Sequence, residues 1–273
     1  MTLGELLRTP AIQSAGWTGS ELDIVCETLL DLSRIQRVMG CQIQLSDDSL
    51  DAIFSVANRS ANGVPLAYIL GFTYFDGFKI SVTPDVLIPR PDTEILISVA
   101  LRRLDRGQQS SILDLCTGSG AVALALKSRS PQWQMTGSDI SSQALDVAKI
   151  NALQLGLNVD FICADLFDGL GLFDLIVTNP PYVAAGDIRV DASVARYEPA
   201  IALYAGEDGL DLIRRIIEAG QSHCRPGGYL CIEHGPEQAS TISAAARDNQ
   251  WWTIETTLDL AGRERVTCMR APL

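Results

Sequence analysis

Residues 111–128 read SILDLCTGSGAVALALKS, an apolar run that ends in a glycine-rich turn and continues into a helical pattern. SILDLC predicts a short buried strand, and GAVALALKS predicts the helix that follows it. Gly118 and Gly120 permit positive φ angles and a close approach of the backbone. In open α/β sheets, nucleotide-like ligands bind at such a turn. The turn matches neither GxGxxG nor a P-loop, whose lysine it lacks, and taken alone it is also compatible with a plain tight strand–helix turn.

This strand–helix unit recurs toward the C-terminus. QMTGSD, VDFICAD, FDLIVTN and GGYLCIEHG are apolar runs of strand length, and helical patterns such as SQALDVAKINALQLG and GLDLIRRIIEAG occur between them. TIETTLDL and ERVTCMR predict an antiparallel pair that closes the chain. Because strand–helix alternation is typical of a parallel sheet covered on both faces, we predict a Rossmann-like, mostly parallel α/β sheet with an antiparallel last strand in residues 90–273.

The part of the chain that precedes this sheet has a different character. Residues 66–89 carry aromatic and β-branched residues around Asp76-Gly77, which predicts a β-hairpin connector. Residues 1–65 are predicted to form a small helical domain, because apolar residues recur there three or four positions apart. These positions are Leu22, Val25, Cys26, Leu29, Leu32 and Ile35, and then Leu50, Ile53, Phe54 and Ala57.

Composition narrows the possible partners. The formal net charge of the 273 residues is −12, which argues against direct nucleic-acid binding, since that needs a basic face. Seven scattered cysteines without a CxxC pair, and only two histidines, argue against a metal site and predict reduced, mostly buried thiols. No signal peptide or apolar run of membrane-spanning length is present. We therefore expect a cytoplasmic protein without a membrane partner. A monomer is also expected.

Two further strand ends carry acidic residues. Asp139 ends QMTGSD and is followed by Ile140, and the ADL of VDFICADL places Asp165 and Leu166 at the end of the next strand. A carboxylate at the end of the second strand can accept hydrogen bonds from ribose hydroxyls. Asp139 is also compatible with a helix cap, although Ser141 or Ser142 can serve that role equally well. In register with Asp139, Asp165 and Leu166 fit recognition of an adenine ring.

The fourth strand, FDLIVTN, ends in NPPY, residues 179–182, which we call the acceptor loop. Proline lacks an N–H and fixes φ near about −65°, so Pro180 and Pro181 stiffen the loop without donating hydrogen bonds. The Asn179 side-chain carbonyl and the Pro180 backbone carbonyl are then two acceptors that can bind the two hydrogens of an NH₂ group. Tyr182 can pack against the flat group that bears this nitrogen. A structural strand terminator would also account for the two prolines.

The order of DLCTGSG, SDIS, ADLF and NPPY resembles class I S-adenosylmethionine-dependent methyltransferases, and NPPY resembles those that methylate planar amino groups. GVPLAYILGFTYFDGFKISVTPDVLIPRPDTEILI, VTNPPYVAAGD, YEPAIALYAGEDGLDLIRRII, PGGYLCIEHGPEQ and GRERVT resemble the HemK/PrmC family over residues 63–270. Members methylate the side-chain amide nitrogen (N5) of the glutamine in the Gly-Gly-Gln motif of peptide-chain release factors, in translation termination. The resemblance implies S-adenosylmethionine as cofactor, S-adenosylhomocysteine as product, and release factors as protein substrates.

The resemblance also assigns roles to residues of this chain, with no metal. Asn179, Pro180 and Tyr182 are implied to be catalytic, and together with Pro181 they are implied to bind the substrate. The residues implied to bind the cofactor are Cys116, Thr117, Gly118, Ser119, Gly120, Asp139, Ile140, Asp165, Leu166 and Asn179, with Arg90, Thr93 and Glu94 at its edge. Thr93 is equally compatible with a helix entry after Pro91. Glu198 is expected to brace the acceptor loop, and Glu233 and His234 are expected to be structural.

One departure from the family pattern keeps a second substrate open. The family usually has glycine where this chain has Cys116, and the sister enzymes that methylate a glutamine of ribosomal protein L3 often have cysteine there. IPRPDTE, EHGPEQ and GRERVT fit the release-factor enzymes better. An adenine-specific DNA methyltransferase would share NPPY, but the acidic charge disfavours it. An NAD-dependent dehydrogenase needs GxGxxG, and a cofactor sensor without catalytic activity leaves the two acceptors unused.

Overall fold

The computed structural model describes residues 1–273 and separates them into two units. The first unit contains residues 1–71 and 192–197, and the second contains residues 72–191 and 198–273. The helices are α1 (Leu3–Leu6), α2 (Pro10–Ser14), α3 (Gly19–Leu30), α4 (Arg34–Met39), α5 (Asp47–Ala61), α6 (Leu66–Leu70), α7 (Glu94–Ala100), α8 (Ala121–Arg129), α9 (Ser142–Leu155), α10 (Ala192–Tyr197), α11 (Asp211–Gly220) and α12 (Ala239–Asp248). The strands are β1 (Phe72–Phe75), β2 (Phe78–Ser81), β3 (Ser111–Leu115), β4 (Gln134–Asp139), β5 (Asp160–Cys163), β6 (Phe173–Thr178), β7 (Cys224–Glu233), β8 (Trp252–Leu258) and β9 (Glu264–Arg270).

The first unit is a helical cluster, as its apolar spacing predicts. Helices α1, α3 and α4 each begin with a capping box, in which a threonine or serine and the residue three positions later satisfy each other's backbone N–H groups; each cap is worth about 1 kcal/mol. One prediction is wrong. Ile35 is 70% exposed, because α3 ends at Leu30, Asp31 adopts a left-handed conformation with φ +53°, and α4 starts on a new axis.

The predicted hairpin is confirmed. Strands β1 and β2 pair antiparallel, with Phe75 opposite Phe78. The two residues between them, Asp76 and Gly77, both have positive φ, +50° and +82°. Aspartate and glycine both tolerate positive φ, and the twist of such a turn matches the twist of the flanking strands.

The strands of the second unit form the predicted Rossmann-like sheet in the order β5-β4-β3-β6-β7-β9-β8. Strands β3 to β7 pair in parallel, whereas β9 pairs antiparallel with both β7 and β8. The chain runs from β3 to one side of the sheet through β4 and returns to the other side through β6. In open sheets a crevice forms at this reversal, beyond the carboxyl ends of the strands.

The core of the second unit explains the apolar runs of the sequence. Ile112, Leu113 and Leu115 of β3 are at most 1% exposed, since helices cover both faces of the central strands. All seven cysteines are free, and four of them (Cys26, Cys224, Cys231 and Cys268) are buried. None of the helices has the length and apolar character needed to cross a membrane.

Candidate active site

A cavity of about 400 Å³ lies at the carboxyl ends of β3, β4 and β6, within the size range of small-molecule sites. It is where the sequence predicts a ligand. The predicted residues that line it are Thr93, Cys116, Thr117, Gly118, Ser119, Asp139, Ile140, Asp165, Leu166, Asn179 and Pro181. The predicted residues outside its lining are Arg90, Glu94, Gly120, Pro180 and Tyr182.

The glycine-rich turn combines two different requirements for glycine. Gly118 has a φ of +53° and nothing within 4 Å of the position of a Cβ, so its backbone faces open space. At Gly120, with φ +80°, a Cβ would lie 3.1 Å from the Ala148 Cβ of α9. Cys116 also has a positive φ, +60°, although it is not glycine. A left-handed backbone conformation costs a residue with a Cβ about 1–2 kcal/mol. This φ explains why glycine is usual at that position in the family that the sequence resembles.

Asp114 holds this turn from inside the core, a role that the sequence pattern did not predict. Its Oδ2 accepts hydrogen bonds from the Thr117 hydroxyl (2.6 Å) and from the Ala123 backbone N–H at the start of α8 (3.0 Å). Burial raises the pKa of Asp114 to about 7, against the lowering effect of these two bonds. The available signal was an acidic residue inside an otherwise apolar strand.

Asp139 connects the end of β4 to the glycine-rich turn. Its Oδ2 accepts from the Gly118 N–H and its Oδ1 from the Ser141 N–H, both at 2.9 Å. The prediction that a serine caps the following helix is confirmed, because Ser141 Oγ accepts from Ala144 N. Asp139 is nevertheless bonded to backbone rather than free of local partners. Burial raises its pKa, and each carboxylate oxygen keeps a second lone pair for a ligand hydroxyl.

Asp165 and Leu166 lie at the end of the cavity formed by β5. Both Asp165 oxygens lie close to Arg215 Nη2, at 3.2 and 3.1 Å. The two side chains are about half exposed, so the pair contributes at most about 1 kcal/mol and can be replaced by a ligand contact. Leu166 has a positive φ of +50°, which marks the sharp departure of the chain from β5.

The acceptor loop presents one side-chain carbonyl to the cavity. Asn179 Nδ2 donates to Thr93 Oγ1 at 3.1 Å, which leaves Asn179 Oδ1 as the free acceptor. Pro181 lines the cavity while Pro180 is buried. Tyr182 packs against the buried core of the second unit, and its hydroxyl donates to Glu233 Oε1 at 3.3 Å. It lies outside the cavity lining, so it does not form the wall of the site that the sequence predicts.

Contacts with the following segment keep the acceptor loop in place. Gln238 Nε2 donates to the Tyr182 carbonyl at 3.0 Å. Val183 N–H donates to Leu203 O, and Val183 O accepts from Ala205 N–H. The loop is therefore fixed at its C-terminal end by backbone pairing, and not only by its two prolines.

Three predicted residues have other partners. Arg90 forms an ion pair with the buried Glu198, whose other oxygen accepts from the Ile88 N–H at 3.2 Å. The prediction for Glu198 is thus wrong, because its bonds go to the segment that precedes the 3₁₀ turn Pro91–Thr93 and not to the acceptor loop. Glu94 Oε1 accepts from the Asp76 N–H and so stabilises the hairpin turn.

His234 has the structural environment that the sequence suggests. Its Nε2 lies 2.9 Å from Thr267 Oγ1 and its Nδ1 lies 2.8 Å from the Gly235 carbonyl. Burial lowers its pKa. The side chain lies outside the cavity lining. Its polar atoms contact strand β9 and the chain after β7 instead.

Asn151 is a second residue that the sequence pattern did not predict. It is fully buried in α9, where it accepts from Ser81 N–H (2.7 Å) and donates to Ser81 O (3.0 Å) and to Ser119 O (2.9 Å). It therefore ties β2 and the glycine-rich turn to the same helix. An asparagine on the apolar face of α9 was the available signal.

Known proteins resemble this chain over nearly its whole length. Residues 92–198 match the methyltransferase small domain, and residues 11–71 match the PrmC N-terminal domain. A release factor glutamine methyltransferase of Deinococcus radiodurans is 37% identical over 270 residues, which are 97% of each chain. Another, from Bordetella pertussis, is 40% identical over 215 residues, 78% of this chain and 80% of that one.

Two solved methyltransferase structures share the fold over about seven-tenths of this chain. A methyltransferase of Pyrococcus furiosus superposes with a TM-score of 0.55 over 72% of this chain and 90% of its own, at 16% identity. A ribosomal RNA methyltransferase of T. thermophilus, solved with S-adenosylmethionine and guanosine, superposes with a TM-score of 0.54 over 73% of this chain and 49% of its own, at 17% identity.

Proposed function

The chain belongs to the HemK/PrmC family of release factor glutamine methyltransferases, and on that premise we propose that it methylates the side-chain amide nitrogen of the glutamine in the Gly-Gly-Gln motif of release factors. Membership makes it an S-adenosylmethionine-dependent enzyme. The observation that carries the proposal for the site is the Asn179 carboxamide. Its nitrogen is occupied by Thr93, and its oxygen is left as an acceptor at the cavity.

The cavity fits S-adenosylmethionine in both size and chemistry. Gly118 leaves backbone open toward it, and Asp139 offers carboxylate lone pairs at the position expected for ribose hydroxyls. Asp165 and Leu166 lie at the strand end where an adenine ring is expected, and Cys116 and Thr117 also line the cavity. We propose that these residues, with Ser119, Ile140 and Thr93, hold the cofactor.

We propose indirect roles for three other residues. Gly120 acts through its close packing on α9. Arg90 braces the segment that precedes Thr93 through its ion pair with Glu198, and Glu94 stabilises the hairpin turn. When bound, the cofactor supplies an electrophilic methyl group on its sulfonium.

The acceptor loop supplies orientation rather than a strong base. An amide nitrogen is a poor nucleophile because its lone pair is delocalised into the carbonyl. The Asn179 side-chain carbonyl and the Pro180 carbonyl, each accepting one N–H of the substrate amide, fix the direction of that lone pair; such positioning can supply roughly 7–11 kcal/mol. The same acceptors stabilise positive charge that develops on the nitrogen. The methylated nitrogen then loses one of its two protons to water, which restores a neutral amide. Pro181 and Tyr182 keep the two acceptors rigid.

We assign the docking of the protein substrate to residues 1–65. Ile35, Val38 and Met39 of α4 are 65–79% exposed, so this short helix presents an apolar surface of its own. Residues 66–89 then serve as a connector to the catalytic residues 90–273. Substitutions on α4 alone can therefore test the docking role without altering the cofactor site.

The test of the proposed function is a methyl-transfer assay with labelled S-adenosylmethionine, in which a release factor and ribosomal protein L3 are offered in parallel. The labelled peptide is identified by mass spectrometry. We expect label on the Gly-Gly-Gln glutamine, lost in Asn179→Ala and kept in Asn158→Ala, an exposed asparagine. Label on L3 alone would transfer the assignment to the sister enzymes that share Cys116, and label on neither would refute glutamine methylation.

A further inference from the structure

One side chain outside the cavity is hydrogen-bonded to three separate backbone segments, and one of these is the acceptor loop. We propose that Gln238, at the start of α12, is a positioning residue for methyl transfer, which holds the Tyr182 carbonyl and thereby the direction of the acceptor loop. The proposal rests on the function proposed above, because it concerns the loop that is proposed to hold the substrate amide. We call the Gln238 carboxamide and its three backbone partners the bridge.

The bridge joins segments that are distant in the sequence. Gln238 Nε2 donates to the Tyr182 carbonyl at 3.0 Å and to the Asp208 carbonyl at 3.3 Å. Gln238 Oε1 accepts from the Gly235 N–H at 2.8 Å. The acceptor loop, the segment before α11 and the turn between β7 and α12 therefore meet at one carboxamide. Gln238 lies outside the cavity lining, so its effect on the reaction is indirect.

The backbone partners determine the orientation of this carboxamide. A carbonyl oxygen can only accept a hydrogen bond and a backbone N–H can only donate one. The NH₂ group must therefore face Tyr182 and Asp208, and the side-chain oxygen must face Gly235. A flipped carboxamide would place its oxygen against two carbonyl oxygens and its NH₂ group against an N–H. The side chain thus has a single orientation, in which both hydrogens of its NH₂ group are used.

The peptide unit between Tyr182 and Val183 is held at both of its polar ends. Its N–H, which belongs to Val183, donates to the Leu203 carbonyl at 2.9 Å, and its carbonyl accepts from Gln238. The ring of Pro181 fixes one of the backbone torsions between this peptide unit and the Pro180 carbonyl. Few torsions are therefore left to absorb a change in its direction before that change reaches the proposed acceptor.

Close packing at Gly209 makes the donor group of Gln238 necessary. A Cβ at Gly209 would lie 2.2 Å from the Tyr182 carbonyl oxygen, so the segment before α11 approaches the acceptor loop more closely than a side chain allows. The carbonyls of Tyr182 and Asp208 converge there on one NH₂ group. Without a donor between them, their partial negative charges repel each other, and the acceptor loop is pushed away from its position.

Two substitutions separate the donor function of Gln238 from its shape. Gln238→Met keeps the length of the side chain and removes the NH₂ group. Gln238→Glu keeps the shape and places a negatively charged oxygen against the two carbonyls. We expect the rate constant for methyl transfer to fall at least tenfold in Gln238→Met and further in Gln238→Glu, because the latter adds repulsion. A role in packing alone would leave Gln238→Glu nearly as active as the wild type.

The matched control is Gln221, a half-buried glutamine whose Nε2 donates to the Asn249 carbonyl at 2.9 Å. Gln221→Met and Gln221→Glu lose the same kind of hydrogen bond at a place outside the cavity lining. They should keep the rate constant within threefold of the wild type. The cofactor Kd should change less than threefold in all four variants, since neither glutamine lines the cavity.

The experiment measures single-turnover methyl transfer to a release factor at saturating S-adenosylmethionine, at about pH 8, in the wild type and the four variants. Cofactor Kd is measured by calorimetry, and unfolding in urea shows that each variant is folded. A Gln238→Glu enzyme with a wild-type rate constant would overturn the proposal. Equal losses in the Gln238 and Gln221 variants would overturn it as well, and so would a loss that appears in the cofactor Kd.

A second measurement separates the bridge from the proposed function. If the wild type modifies no release factor, the proposed function fails on its own, and the bridge is decided by NMR. The chemical shift of a carbonyl carbon depends on the hydrogen bond that the carbonyl accepts. The Tyr182 carbonyl carbon should therefore shift in Gln238→Met and stay unchanged in Gln221→Met, and an unchanged shift in Gln238→Met would refute the bridge.

Discussion

Replacing Gly209 with alanine should displace the acceptor loop without touching the cofactor-binding residues. Gly209 precedes α11 and has a φ of +75°. A Cβ at this position would lie 2.2 Å from the Tyr182 carbonyl oxygen, 2.9 Å from the Tyr182 carbonyl carbon and 3.0 Å from Ala184 N. The atoms in its way are backbone, so they cannot move aside as a flexible side chain can.

The magnitude follows from this clash. Ordinary contact begins at 3.4 Å, so either Gly209 or Tyr182 must shift by roughly 1 Å. A misplacement of about 1 Å in a positioned group can lower the rate by about 100-fold. The strained φ adds a stability cost of about 1–2 kcal/mol, and the overpacking adds about 1–3 kcal/mol more.

Gly156→Ala is the matched control, because Gly156 also has a positive φ, +64°, but a Cβ there meets nothing within 4 Å. Both variants carry the backbone strain, and only Gly209→Ala pushes on Tyr182. The assay measures kcat for a release factor at saturating S-adenosylmethionine, cofactor Kd by calorimetry, and urea unfolding. We expect Gly209→Ala to lose kcat about 100-fold relative to the control with cofactor Kd unchanged. A kcat within threefold of the control would refute the reasoning.

Three further predictions concern other parts of the chain. Asn151→Ala removes three buried hydrogen bonds, so it should lower the free energy of unfolding by about 3 kcal/mol. It should also weaken S-adenosylmethionine binding in calorimetry. An unchanged cofactor Kd would contradict the role of Asn151 in holding the glycine-rich turn. The pKa of Asp114 is raised to about 7, so the folded state binds this proton more tightly than the unfolded state does. The free energy of unfolding measured in urea should therefore fall by up to about 4 kcal/mol as the pH rises from about 4 to 7. Asp114→Asn should remove that pH dependence, and an equal slope in both proteins would refute the raised pKa. Exchanging the exposed Ile35 and Met39 for aspartate should raise KM for the release factor at least fivefold while leaving cofactor Kd unchanged, and an unaltered KM would refute the docking role of α4.

The sequence alone determined the features that depend on short segments. Strand–helix alternation predicted the parallel sheet, since a buried parallel strand has to be apolar along its length. The two consecutive strand patterns TIETTLDL and ERVTCMR predicted the antiparallel pair that closes it. Asp76-Gly77 predicted the hairpin, because few residue pairs accept two consecutive positive φ angles. The glycine-rich turn and the acceptor loop each lie at the end of a predicted strand, so their place on one edge of the sheet followed from the parallel arrangement.

The end of helix α3 in the first unit shows where the spacing of apolar residues fails to predict the structure. The spacing of apolar residues continues from Leu22 to Ile35, but the helix ends at Leu30 and Ile35 is exposed. The left-handed Asp31 changes the direction of the chain, and a period counted across such a break no longer describes one face. Neither Leu30 nor Asp31 indicates the end of the helix by its residue type alone.

Only the tertiary structure decided how the polar groups pair. Thr93 and Asn179 are 86 positions apart, and Tyr182 and Glu233 are 51 apart, yet each pair is joined by a side-chain hydrogen bond. Arg90 and Glu94, close to Thr93 in the same motif, bind other partners. A buried polar group must find a partner from whatever segment is packed against it, and that choice depends on the packing of whole elements. The local sequence carries the donors and acceptors of this site, while the fold determines which of them meet.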